Sequence, residues 1–511
     1  MRLPRQGRSD YLRRMTNRPF FLSRRRALSV LGAAAAAPQL ALAKTKAHPE
    51  PKHEHPVTET KLQTPDALIA AAKLGGEVGY IVVEADSGRV LESAGADRPM
   101  APASVAKTLT ATYALEVLGP DYRFVTRVIA TGPVSNGIVQ GDLVLVGGGD
   151  PTLVTDHLGD MAKALRGAGV QGVTGRFVVV DGLLPRLQQI DPNQPDQVDY
   201  NPGISGLNLN FNRVYFGWAK KGGDWTLTLD ARGDRYVPPV RVARMAVVDR
   251  ARPPYTYAAD GGIESWTVAR DALGKGGSRW LPVRAPGPYA GDVFRALAAA
   301  NGTQLPAPVM ADSAPQGTEV ARHESGPLRG ILKEMLKYST NVTAEIIGMT
   351  ASQAQGGPVD SLAASAARMN AWAQGRFGIS PALNDHSGLS VDNRVTPHDL
   401  VTLLRAARAV DLRGILKPVV LQDARGRWLD NGPTHAEAKS GTLNFVSNLA
   451  GYETTEAGNE LVFAIMSGDV ARSTAVPRED RESPPGERPW VARAHMLQRG
   501  LLQRWGVVFK T

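Results

Sequence analysis

Cysteine is absent from the 511 residues. That excludes thiol catalysis, disulfides, Cys-ligated zinc and iron–sulfur clusters. A membrane-spanning run is missing too. The one long apolar stretch, residues 27–42, is Ala-rich and broken by Pro38-Gln39, whereas a spanning helix needs about 20 strongly apolar residues. Nor does the body of the chain carry an excess of one charge. The net charge of +10 comes from 59 Lys+Arg against 49 Asp+Glu, but residues 1–43 hold nine of the Arg and a single acid, Asp10. The remaining 50 basic and 48 acidic residues nearly cancel. The body therefore lacks the basic footprint of a nucleic-acid partner. At 43% hydrophobic and 21% charged residues, the composition excludes disorder, collagen and a disulfide scaffold. The length suits about two to four domains.

What is present begins with an address. Ser23-Arg24-Arg25-Arg26-Ala27-Leu28 opens the apolar run, which ends in Ala41-Leu42-Ala43, a small-x-small cleavage signature. Residues 1–43 read as an export signal peptide, cleaved before Lys44. The paired arginines resemble a twin-arginine signal, with an ordinary secretory signal as the alternative. Either signal takes the protein out of the cytoplasm, and the periplasm is the expected location. Residues 44–61 form a polar, Pro-rich linker, and its His48, His53 and His55 read as linker residues rather than metal ligands.

Along the mature chain, apolar periodicity predicts a helix over 68–74, strands over 78–83 and 89–92, and a helix over 104–118. Strands at 125–130 and 143–146 follow, then a helix at 158–165 and a strand at 177–180, a small α/β pattern. Short alternating stretches between Gly, Pro and Asp turns make 201–285 antiparallel β. Helices are expected at 292–299, 328–337, 342–354, 359–375 and 397–408. Strands at 437–442, 446–452 and 461–466 precede a last helix at 491–505. That helix has a broad apolar face, which suits packing on a sheet better than lying on a membrane.

Three short motifs carry chemistry. Ser104-Val105-Ala106-Lys107 has Ser-x-x-Lys form, and positions i and i+3 of a helix share a face. A serine needs a base to become a nucleophile. A lysine in a dry, cationic site can lose its proton near neutral pH and act as that base. Ser339-Thr340-Asn341 has Ser-x-Asn form just before a helix. Lys439-Ser440-Gly441-Thr442 lies in a strand whose bare Gly lets a substrate backbone approach as an added strand.

These elements, in this order, resemble the penicillin-recognising serine enzymes. Ser440 stands where that family usually has Thr and keeps the hydroxyl. The spacings are 235 residues from Ser104 to Ser339 and 100 from Ser339 to Lys439. The first gap is too long for a compact β-lactamase-like domain and must hold an insertion. The chain resembles the low-molecular-mass class C penicillin-binding proteins, the D-alanyl-D-alanine carboxypeptidase/endopeptidases. The resemblance spans roughly residues 65–505 and includes Leu207-Asn208-Leu209-Asn210-Phe211-Asn212, Asn341 to Glu345 and Asp385-His386-Ser387-Gly388-Leu389-Ser390.

The resemblance implies a fold and a set of roles. The fold is multi-domain α/β. A serine β-lactamase/transpeptidase-like domain (62–126 and 323–511) has a five-stranded antiparallel sheet flanked by helices. It carries an inserted β-rich domain (127–150 and 201–322) with a small α/β domain (151–200) nested in it. Ser104 would attack the penultimate D-alanine carbonyl and form an acyl-enzyme. Lys107 would accept its proton, and Ser339 would relay a proton to the leaving amine under the influence of Lys439. Asn341 would hold the substrate amide and orient Lys107. Ser440, Gly441 and Thr442 would bind substrate, and the N–H groups of Ser104 and Thr442 would form the oxyanion hole. Peptidoglycan stem peptides are the implied substrate and β-lactam antibiotics the implied inhibitors. No metal or organic cofactor is needed, because nucleophile and base are both side chains.

One departure bears on specificity. The family often continues Ser-Gly-Leu-Ser with Arg, which can contact a substrate carboxylate; here Val391 follows Ser390, and Arg394 is the nearest substitute. A class A β-lactamase is a second reading, but no Glu-x-x-Leu-Asn segment lies between the second and third motifs. A non-catalytic wall-binding protein is a third, although a pure binder need not keep Lys107. The His386-Ser387 neighbours read as loop, Gly147-Gly148-Gly149 lacks the Lys-Ser/Thr of a phosphate loop, and Trp218, Trp225 and Trp266 read as core or insert-surface aromatics.

Overall fold

The computed structural model describes residues 63–421 and 434–509. The export segment, the cleavage point before Lys44, and the linker with its three histidines lie outside the described residues. Strand signals in the first and last parts of the chain converge on one sheet. Its order is Lys417–Pro418, Thr434–Leu443, Val446–Thr455, Glu460–Gly468, Glu77–Glu84 and Val90–Ala94. All neighbours are antiparallel. Five strands were expected; the sixth is the two-residue edge piece Lys417–Pro418, too short to leave an alternating pattern.

Apolar runs such as Leu461-Val462-Phe463-Ala464-Ile465-Met466 have no polar face because both faces of the sheet are covered. On one side lie the helices Pro65–Ala72 and Glu487–Val508. The latter buries Trp490, Leu501 and Trp505 completely. Their indole N–H groups find partners at the Leu74 carbonyl and Glu92, 2.7 and 2.8 Å away. The apolar face of this helix is thus used by the sheet. On the other side a second core gathers the helices Lys107–Leu118, Leu328–Tyr338, Asn341–Gly356, Leu362–Phe377 and Pro397–Ala406.

Between Phe124 and Ser325 the chain builds a separate set of sheets. The largest has the order Pro308–Ala311, Phe177–Val180, Leu143–Val146, Val125–Ala130, Thr318–Glu324. Phe177–Val180 pairs in parallel with both of its neighbours. This corrects the expectation of a distinct α/β domain over 151–200. Phe177–Val180 is buried throughout, so it needs strands on both sides, and these come from either side of that segment. The helix Thr155–Gly167 likewise shares one core with residues from Val128 to Ala321. A second correction concerns 201–285, where Ala243–Val248 pairs in parallel with Ile263–Ala269. The other strands there are antiparallel, as the alternation predicts.

Candidate active site

Ser104 and Lys107 sit at the junction of two helix types. Ala103–Ala106 is a 3₁₀ turn, and the α-helix starts at Lys107. A single helix from 104 was expected. The tighter turn serves the motif, because side chains at i and i+3 eclipse in a 3₁₀ helix. Lys107 Nζ lies 2.9 Å from Ser104 Oγ. Two glycines make room for this turn. A Cβ on Gly441 would stand 2.9 Å from the Ser104 nitrogen and 2.8 Å from the Pro102 oxygen. Gly388, at φ +79°, presses against the Ala103 carbonyl, where a side chain would clash. Asn448, opposite Gly441 in the sheet, donates to the carbonyls of Ala101 and Pro102 at 2.9 and 2.7 Å. Its oxygen accepts from the Ser467 N–H. Asn448 was missed in the sequence, although a polar residue inside an apolar strand is itself a signal of required partners.

Lys107 is fully buried. Its ammonium has three acceptors: Ser104 Oγ, Asn341 Oδ1 at 2.8 Å and the Ser387 carbonyl at 2.7 Å. Burial lowers its pKa to about 7, against the opposing pull of the Glu345 and Asp385 carboxylates. The geometry says where the lone pair goes when the proton leaves. Neither the Asn341 oxygen nor the Ser387 carbonyl can donate, so the neutral amine keeps its two N–H bonds there. Its lone pair then faces Ser104 Oγ, the one partner with a proton to give.

Ser339 closes the helix Leu328–Tyr338 in the left-handed conformation, at φ +60°. Its hydroxyl accepts from Lys439 Nζ at 3.0 Å, and Lys439 also donates to the Ser440 carbonyl. Lys439 is buried, and that burial together with the nearby Lys107 holds its pKa well below the usual lysine value. Ser440 and Thr442 are exposed on the same strand. The edge strand Lys417–Pro418 pairs only as far as Ala438, so the edge from Lys439 onward is open among the described residues. The hairpin after Leu443 has the two-residue loop Asn444-Phe445. Hydrogen-bonded pairs then fall at 443, 441 and 439, and the backbone N–H groups of Ser440 and Thr442 point to the open edge.

The structure brings these residues together as two hydrogen-bonded groups, Ser104–Lys107–Asn341 and Ser339–Lys439, with Lys439 close enough to feel the charge of Lys107 and Gly441 against the Ser104 turn. It also adds residues to which the sequence assigned no role. Asn341 Nδ2 donates to the Tyr200 carbonyl at 3.0 Å, so the insertion reaches the site. Glu345 and Asp385 are buried carboxylates that accept from the N–H groups of the 386–390 loop. Burial pushes both upward in pKa. His386 does not pair with Ser387; its ring meets Ser365 Oγ at 2.7 Å, and burial takes it down to about 3, so it is neutral. Arg394 turns its guanidinium onto the carbonyls of Val391 and Asn393. Trp266 is core, and the indole of half-buried Trp218 donates to the Leu273 carbonyl. Among the described residues no group of three or more His, Asp or Glu is arranged to hold a metal.

This constellation has counterparts. The family model described as D-Ala-D-Ala carboxypeptidase 3 (S13) matches residues 62–484. The chain belongs to this S13 family. A D-alanyl-D-alanine carboxypeptidase of Actinomadura sp. (strain R39) is 30% identical over 448 residues, covering 79% of this chain and 80% of that one. A carboxypeptidase of Mycobacterium tuberculosis is 30% identical over 423 residues, covering 79% of each. The crystal structure of penicillin binding protein 4 from Haemophilus influenzae superposes with a TM-score of 0.69 at 21% identity, covering 86% of this chain and 98% of that one. That likeness speaks for a shared fold.

Proposed function

We propose that the protein is an exported serine D-Ala-D-Ala carboxypeptidase/endopeptidase that cleaves peptidoglycan stem peptides or cross-links and is acylated by penicillin. The observation that carries this is the buried Lys107 amine, which lies between two acceptors that cannot donate and the Ser104 hydroxyl. Relatives named as D-alanyl-D-alanine carboxypeptidases support the substrate class. A solved penicillin binding protein 4 complexed with a β-lactam supports the inhibitor class. The catalytic domain is taken as 62–126 with 323–511, and 127–322 as one insertion. The twin-arginine signal and the periplasm remain part of this proposal.

Acylation begins when Ser104 Oγ adds to the penultimate D-alanine carbonyl and passes its proton to Lys107. The carbonyl oxygen becomes an oxyanion facing the N–H groups of Ser104 and Thr442. Donors of this kind are worth ~2.7–4 kcal/mol each in the barrier. The Asn341 amide and the open strand edge hold the peptide. The Ser440 and Thr442 hydroxyls, beside Lys439, receive its terminal carboxylate. The C–N bond then breaks, and Ser339 delivers a proton to the departing amine, drawn from Lys107. Water adds to the ester carbon, Lys107 takes its proton, and Ser104 leaves protonated. Intact-mass spectrometry with benzylpenicillin tests the scheme. One adduct on the parent and none on Ser104→Ala is the expected result. An unmodified parent with intact drug would sink it, and an unmodified parent with destroyed drug would point to a β-lactamase.

A further inference from the structure

The acceptors around Lys107 do not hold themselves in place. Asn341 Oδ1 is fixed by the helix Asn341–Gly356, but the Ser387 carbonyl belongs to a loop. One side chain ties the two together. Glu345 lies one turn along the same helix from Asn341, on the same face. Its two oxygens accept from the backbone N–H groups of His386 and Ser387 at 2.8 and 2.9 Å. The Ser387 carbonyl then meets Lys107 Nζ. A second tether comes from the same helix, where Gly348 leaves the space filled by the His386 ring. Among the described residues no Arg or Lys bonds to Glu345, so its charge is not spent on a neighbouring guanidinium or ammonium.

We propose that Glu345 is the positioning residue of the catalytic lysine: it holds the 386–387 peptide so that the Ser387 carbonyl meets Lys107, and its charge governs how readily Lys107 gives up its proton. This rests on the reading of Lys107 as the base for Ser104. Three charged or titratable groups act on Lys107. Glu345 comes from the helix, Asp385 from the loop, and Lys439 from the strand Thr434–Leu443. His386, the remaining titratable group of the loop, has its ring on Ser365 and Met369 and is neutral. Burial favours the amine, whereas the two carboxylates favour the ammonium. Burial pushes the Glu345 carboxyl itself up to about 8, against its two N–H donors and Lys107, which favour the ionised form; where it is ionised, removing its charge moves Lys107 toward the amine. It makes the base available at lower pH, even as the Ser387 carbonyl loses its anchor.

The test is the rate constant for benzylpenicillin acylation of the mature chain from about pH 5 to about pH 9. The parent, Glu345→Gln and Glu345→Asp are compared, with thermal unfolding as the control for folding. Glu345→Gln keeps one acceptor but sets an NH₂ against the other backbone N–H. Its rate on the plateau is expected to fall about tenfold, and its acid limb to move down by about half a pH unit or more. Glu345→Asp keeps the charge and shortens the reach, so its plateau falls while its limb stays. An equal loss at every pH in Glu345→Gln, with the limb unmoved, would overturn the electrostatic role. A parent-like plateau in Glu345→Asp would overturn the positioning role, and that variant decides the matter should the Gln variant not fold. A parent that never acylates would overturn the base reading itself, a result separate from either outcome in the variants.

Discussion

The side-chain amide of Asn341 donates to the backbone carbonyl of Tyr200, so a motif residue of the catalytic site is oriented by the inserted region. With Nδ2 committed to Tyr200, Oδ1 is turned to Lys107. The segment carrying Tyr200 is itself pinned to the loop that precedes the last helix. Asp196 meets Arg478, the Asn193 carbonyl meets Arg481, and Gln197 meets Glu482. Arg279 completes the latch on Glu482 at 3.0 Å. The insertion is therefore part of the site's construction.

Loosening this latch should slow chemistry at a distance. Glu482→Ala removes the acceptor shared by Gln197 and Arg279. Glu482 is partly exposed, so the loss of stability should be modest, about 1 kcal/mol. Acylation by benzylpenicillin should slow by several-fold because Asn341 loses its fixed backstop. Stopped-flow rates equal to the parent's would show that the Tyr200 contact survives without the latch.

The pH dependence follows from Lys107. Below about 7 it is an ammonium and has no lone pair for Ser104; above that it is an amine. Acylation should therefore rise with pH through the region of 7 and then level off. Each unit below the limb costs about tenfold in rate. A flat profile from about pH 5 upward would mean that another group takes the Ser104 proton.

Gly441→Ala tests the close approach of the strand to the nucleophile. The new Cβ would lie 2.8–2.9 Å from Pro102 O, Ser104 N and Val105 N, all backbone atoms that cannot swing aside. The turn must shift, and misplacement of the nucleophile on the order of 1 Å costs about a hundredfold in rate. Asn448→Ala attacks the same turn from behind. It leaves two buried carbonyls and the Ser467 N–H without this partner, a loss of about 2–3 kcal/mol. Acylation rates and urea midpoints of the two variants measure these effects.

Much of this was legible in the sequence because local pattern and motif agreed. The strands Val125–Ala130, Leu143–Val146 and Phe177–Val180 fall where the sequence predicts them, and the last two begin and end with their apolar runs. Ser104 and Lys107 were picked out by their i, i+3 spacing, and Ser339, Asn341 and Lys439 by the family resemblance of their motifs. What stayed hidden depends on pairing between distant segments. Nothing local to Phe177-Val178-Val179-Val180 says that Pro308–Ala311 will lie beside it in parallel. The role of Tyr200 is carried by its carbonyl, which every residue type possesses, so its side chain gave no clue. Glu345 was legible only as the end of the Asn341 to Glu345 segment, with no role, until the fold buries it beneath the 386–387 peptide.

Glu453 offers a test of stability separate from catalysis. It lies inside the strand Val446–Thr455, fully buried, with one oxygen accepting from Thr434 Oγ1 at 2.6 Å. Its other oxygen has no partner among the described residues. Burial raises its pKa to about 8, far above that of a solvated glutamate. A group raised in the folded state binds its proton more tightly there, so stability is fully present below the unfolded value and is lost as pH rises through the folded one. The loss should accumulate between about 4.5 and about 8. Glu453→Gln carries no charge at any pH and keeps an acceptor for Thr434. The variant's melting temperature should therefore match the parent's near the bottom of that range and exceed it increasingly toward the top. A difference that does not grow with pH would mean that Glu453 is not titrating in the folded core.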